Sequence, residues 1–116
     1  MATKLQRKWK FIQDLNKLSR KPKIQYLNKC PDDYIDILCE GCFNLLKNPQ
    51  LKNKKKVKNL LKPVMSKVKH LTDRNTEIYQ KRQILTKGKI AKIITSTLAK
   101  HLVPFLKETI QKSLKE

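Results

Sequence analysis

The stretch Asp32-Asp33-Tyr34-Ile35-Asp36-Ile37-Leu38-Cys39-Glu40-Gly41-Cys42-Phe43-Asn44-Leu45-Leu46-Lys47 decides the fold. Wound as a helix, its apolar side chains cover well over half the circumference, and a helix apolar nearly all round is a buried one. Asp32 and Asp33 sit where acidic groups favour a helix N-terminus, and Asn48-Pro49 is a stop signal. Residues 32–47 are therefore read as the core helix of an all-α protein.

Working outward, Leu5, Trp9, Ile12, Leu15 and Leu18 recur every three or four residues, which predicts a helix from about Thr3, its N-cap, to Ser19. Pro22 is suited to opening a short second helix through Ile24, Tyr26 and Leu27, ended by Cys30-Pro31-Asp32. Downstream, Val57, Leu60, Leu61, Val64, Met65, Val68 and Leu71 continue the helical period, with Pro63 predicting a kink or break. After the loop 72–76, Ile78, Ile84 and Leu85 mark a shorter helix that Gly88 ends. Ile90, Ile93, Ile94, Leu98, Leu102, Leu106, Ile110 and Leu114 form a one-sided stripe from Lys89 onward, bent at Pro104. The expectation is one domain, 1–116, a compact bundle of about five helices with frayed ends.

Composition agrees. Two glycines and five prolines are too few for turn-dense β-architectures, and 116 residues suffice for one core but exclude a large multidomain enzyme. No continuous apolar run suggests a secretory signal or a membrane span. With three cysteines, an odd number, the chain is expected in a reducing intracellular compartment, not secreted.

The dominant feature is charge. Against 9 Asp+Glu stand 28 Lys+Arg, a net +19. It is uneven: residues 1–29 and 49–71 carry +8 each, and residues 30–48 carry −3. Lys52, Lys54, Lys55, Lys56, Lys58, Lys62, Lys67 and Lys69 fall within eighteen residues that hold no acid. Along a helix they would span about 27 Å, beside which a duplex presents on the order of sixteen phosphates. Repulsion within such a run costs stability unless a polyanion compensates it. With Arg7, Lys8, Lys10, Lys81, Arg82, Lys87 and Lys89 these residues are the candidate nucleic-acid surface. Only four cations are Arg, so the bidentate contacts that read guanine are scarce, and the seven aromatics are scattered along apolar stripes. Sequence-independent duplex binding fits this pattern.

Other chemistry has less to stand on. Cys39-x-x-Cys42 lacks the second pair of a structural zinc site and reads as buried thiols. His70 and His101 accompany no nucleophile elbow or phosphate loop, so no catalytic, cofactor or metal residues are expected. The basic amphipathic helix from Lys89 to Leu114 is compatible with an anionic membrane as well as with packing on the core.

Taken together, Cys30 to Glu40, Phe43-Asn44-Leu45-Leu46-Lys47 and Lys81-Arg82-Gln83-Ile84-Leu85-Thr86-Lys87-Gly88-Lys89 resemble small basic proteins of adintoviruses, Polinton (Maverick) elements and adenovirus-like genomes. The resemblance spans about residues 22–106; Gly88-Lys89-Ile90 stands where that pattern has a glycine pair and an aromatic. It implies a viral or mobile-element setting, in the host nucleus or virion, and genome packaging. The expected partner is double-stranded DNA. The alternatives are a membrane-active protein or an adaptor for a capsid protein, acting through the C-terminal helix.

Overall fold

Ser19, Pro31 and Asn48 divide the first half of the chain into rods. The computed structural model describes the backbone of residues 4–115 and the side chains of residues 7–109 and 111. The expected cap at Thr3 and the stripe positions Leu5, Ile110 and Leu114 lie outside these side chains. Helix α1 (Lys4–Lys17) buries Trp9, Ile12 and Leu15 and leaves Leu18 largely exposed just past its end. Helix α2 (Arg20–Lys29) starts two residues earlier than expected, with Ser19 as N-cap. Pro22 still lies in its first turn, where no N–H is needed.

Helix α3 (Asp32–Lys47) buries Ile35, Leu38, Cys39, Gly41, Cys42 and Leu45. It is central as expected, but one edge is wet: Asp33, Asp36, Glu40 and Phe43 all face solvent. Asn48 then does more than stop it. Its side-chain oxygen accepts from the N–H groups of Gln50 (2.9 Å) and Leu51 (3.4 Å), capping a single turn, α4 (Pro49–Lys52). One turn is unfavourable alone. The fully buried Leu51 offsets that, since burying a leucine contributes about 1.5–3 kcal/mol.

Pro63 produces the expected break as a 3-10 turn (Lys62–Val64) joining α5 (Lys55–Leu61) to α6 (Met65–Thr72). Glu77 and Gln80 form a capping box that opens α7 (Ile78–Thr86), and Gly88 turns the chain at φ +60°. The last rod is α8 (Ile90–Thr97), a π-helical turn (Leu98–Leu102) and α9 (Val103–Lys115). Pro104 explains the π turn: its ring would clash with the carbonyl four residues back, and a widened turn relieves this without breaking the rod.

Counting each bent rod once, there are seven rods among the described residues, not about five. The segments read from the sequence already include α7; the rod they did not separate is the one-turn α4, which the helical period ran into the segment that follows. The radius of gyration, 13.9 Å, is close to the roughly 13 Å of one compact domain of this length.

The two inner rods meet at Gly41. A Cβ there would lie 3.0 and 3.1 Å from the two methyls of the fully buried Leu98. Gly41→Ala gains about 1 kcal/mol of helix propensity and loses a comparable amount in this contact. Gly41→Val gains less propensity and adds further bulk. Urea unfolding is expected to place the alanine variant within about 1 kcal/mol of wild type and the valine variant about 1–3 kcal/mol below it. An alanine variant more stable than wild type by about 1 kcal/mol, with the valine variant no less stable than wild type, would show that α3 and the π turn do not approach this closely.

Candidate nucleic-acid interface

Burial and pairing sort the candidate cations into different roles. Arg7, Lys10, Lys52, Lys54, Lys55, Lys56, Lys58, Lys62, Lys67, Lys69, Lys87 and Lys89 are exposed. Lys8 is paired with Glu40 at 3.1 Å across α1 and α3. Lys81 is half-buried near the Cys39 thiol. Arg82 points inward: its guanidinium donates to the Leu27 carbonyl (2.6 Å) and to Asp32 (2.8 Å), clamping α7 to the α2–α3 corner. A guanidinium held in this way is a structural clamp, with little left to offer a phosphate.

The lysine-rich run does not form one stripe. The 3-10 turn at Pro63 and the Asn53-Lys54 connection divide it around a bent rod. Lys52, Lys58 and Lys69 surround a small apolar cleft floored by Leu45, Val57 and Leu61. Lys67 lies with Lys87 beside the loop at Asp73. Lys56 lies with Lys100 and His101, and Lys54 is close enough to act on the same histidine.

Lys100 and His101 are additions of the fold, as are Arg20, Lys23 and Lys92, which line a second cavity together with Lys89 and Lys100. The sequence did carry a signal for part of this group. Lys89, Lys92 and Lys100 recur at i, i+3 and i+11, one face of a helix, opposite the Ile/Leu stripe. The cationic surface therefore runs from Lys54 and Lys56 through Lys100 to Lys92, Lys89 and Arg20.

His101 reports the field of this surface. Burial, then the charges of Lys54, Lys56 and Lys100, push its pKa below the usual histidine value. Above about pH 6.5 the imidazole is neutral in both folded and unfolded chains; as pH falls further the unfolded chain takes up the proton first. Stability is thus expected to decline as pH drops below about 6.5. Urea midpoints at about pH 7.5 and about pH 5 check this, and His101→Gln should reduce the difference. An unchanged difference in that variant would mean that His101 does not carry the effect.

A second feature was hidden in the spacing. Phe11, Tyr26 and Tyr34 come from three helices and meet, with ring centroids 4.8 Å (Phe11–Tyr34), 6.1 Å (Phe11–Tyr26) and 6.4 Å (Tyr26–Tyr34) apart. The rings share a groove with Arg7, Lys8 and Lys10, and Tyr26 is 40% exposed. Scattered in sequence, these aromatics become an aromatic and cationic surface in space.

The cysteines are free and buried. Burial pushes the Cys39 thiol up to about 11 and the Cys42 thiol higher still, so both stay protonated at neutral pH and are poor ligands and nucleophiles. Among the described residues no group of three or more His, Cys, Asp or Glu is placed to hold a metal ion, and no helix is long and apolar enough to cross a membrane.

No protein-family model, curated protein or solved structure matches the chain.

Proposed function

We propose that the protein is a non-enzymatic, sequence-independent DNA-binding protein that coats or condenses a viral or mobile-element genome, in the virion or the host nucleus. Lysine side chains neutralise backbone phosphates and release condensed counterions. The observation that carries this reading is a pair of clefts that share Lys100, one with Lys56 and His101, within reach of Lys54, and one with Arg20, Lys89 and Lys92, neither lined by a carboxylate. The scarcity of Arg favours charge neutralisation over base readout. Retention of duplex DNA at rising salt tests it: log affinity should fall linearly with log salt, at close to −0.9 per phosphate neutralised. Tight binding that ignores salt would overturn it.

The alternatives through the last helix have less to work with. Ile90, Ile94, Leu98 and Leu102, the stripe that a membrane or adaptor surface would use, are buried against the rest of the bundle.

The aromatic groove favours one addition, that single strands are engaged there by stacking. Base stacking on an aromatic is worth about 1–3 kcal/mol. Tyr26→Ala is therefore expected to weaken binding of a single-stranded oligonucleotide about 5- to 100-fold, with Tyr26→Phe and duplex affinity little changed. Equal effects on both nucleic acids would remove the stacking role.

A further inference from the structure

Where the α1–α2 corner meets α8, a cavity of about 520 Å3 opens between Ser19 and Ile24 on one wall and Ala91 and Ser96 on the other. Arg20, Lys23, Lys89, Lys92 and Lys100 line it, and no Asp or Glu does. Four of these cations are exposed at the mouth; Lys23 is 4% exposed and lies inside. Its ammonium donates to Thr95 Oγ1 at 3.1 Å, a neutral acceptor that itself donates to the Ala91 carbonyl. A buried ammonium is ordinarily matched by a carboxylate. Here the nearby helices place theirs elsewhere: Asp32 is held by Arg82, Glu40 by Lys8, and Asp14 lines the aromatic groove. Burial and the neighbouring Lys92 both pull the Lys23 pKa below the ordinary lysine value, a penalty that an anion in the cavity offsets.

The backbone adds to this. Ser19 caps α2 without a side-chain hydrogen bond; Pro22 has no N–H and the Lys23 amide donates to the Ser19 carbonyl (3.0 Å), which leaves the Arg20 and Lys21 amides, at the positive end of the helix, as first-turn donors without a helical acceptor. The volume lies within the roughly 300–1,000 Å3 of small-molecule sites, larger than one phosphate requires.

We propose that this cavity binds a compact, multiply phosphorylated small anion, with the Lys23 ammonium as the buried anchor and Arg20, Lys89, Lys92 and Lys100 closing around it. The site goes beyond the DNA-binding reading, since a duplex reaches the rim cations and not the sunken amine. The phosphate chain belongs either to a free polyphosphate or to a nucleotide.

Calorimetric titration of the full chain with tripolyphosphate and with ATP, at about 0.15 M salt, tests the proposal. One saturable site is expected, about tenfold weaker in Lys23→Met, which keeps the aliphatic stem and deletes the charge. Lys92→Gln, an exposed rim change that leaves the core alone, should weaken it several-fold; it decides the matter if Lys23→Met does not fold. Lys58→Gln/Lys69→Gln, outside the cavity, should bind as wild type. Equal affinity for the two probes assigns the site to the bare phosphate chain, and tighter ATP to a nucleotide; either supports the proposal. Many-site binding, or losses in the Lys58/Lys69 control equal to those in Lys92→Gln, would show only diffuse attraction to a cationic protein and overturn it. Duplex retention by Lys23→Met, expected unchanged, keeps this outcome separate from that of the DNA reading.

Discussion

Replacing Lys54, Lys56 and Lys100 together by glutamine is expected to weaken duplex DNA binding about a hundredfold at about 0.15 M salt. The slope of log affinity against log salt should become shallower by nearly three. Each phosphate neutralised contributes about 0.9 to the slope, so at this salt each contact is worth roughly a factor of five, and three contacts multiply to about a hundred. All three side chains lie close to His101 although two are on or beside α5 and one is on the π turn. All three are also exposed, so their loss leaves the core intact and relieves repulsion. The matching control removes the same charge elsewhere, at the exposed Lys17, Lys21 and Lys29. Fluorescence anisotropy with a labelled duplex distinguishes the two. If both triple variants lost affinity and slope equally, only net charge would matter and the assigned surface would be wrong.

The fold was legible where a single residue type forces a local outcome. Pro63, Gly88 and the Asp32-Asp33 helix start act through the backbone or the helix dipole, and the structure has a 3-10 turn, a left-handed residue and a helix start at those places. Less legible was what depends on a partner distant in sequence. Asn48-Pro49 reads as a stop, but whether a new turn follows depends on the core having room for Leu51. Gly41 sits in a helix where glycine is locally unfavourable, and its reason, the approach of Leu98, is 57 residues away. The all-round apolar pattern of residues 32–47 identified the central helix and overstated its burial, because Phe43 remains at the surface.

The candidate surface divides along the same line. Exposure of the lysines at 52–69 followed from the apolar period of the residues between them, and the sequence was sufficient for that. Their grouping was not readable. A straight helix places them on one stripe, whereas the turn at Pro63 sends Lys56 toward Lys100 and Lys67 toward Lys87. Arg82 shows the converse: beside Lys81 and in a segment that ends Lys87-Gly88-Lys89 it reads as a surface cation, yet Asp32, fifty positions away, and the Leu27 carbonyl hold it as a clamp. The Phe11, Tyr26 and Tyr34 cluster needs three helices to assemble, so no local spacing announces it.

Leu98→Lys is expected to unfold the protein, although the sequence places Leu98 on the stripe of a basic amphipathic helix, where such a change should affect only membrane or partner contact. Leu98 is fully buried, and its methyls rest on Gly41, which has no side chain to move aside. Its removal forfeits about 2–5 kcal/mol of transfer and packing, and an ammonium in that position adds several kcal/mol of desolvation. Lysine chains reach for the surface when they can, but the π turn points this position toward α3, not toward water. The total approaches or exceeds the roughly 5–15 kcal/mol that holds a domain of this size together. Thermal melts followed by far-UV circular dichroism and by the fluorescence of Trp9, the sole and buried tryptophan, should show no cooperative transition in Leu98→Lys. Leu60→Lys, on the exposed side of α5, should melt within a few degrees of wild type. A folded Leu98→Lys protein with a wild-type melt would mean that the last rod is not part of the core, and would return its apolar stripe to a membrane or partner.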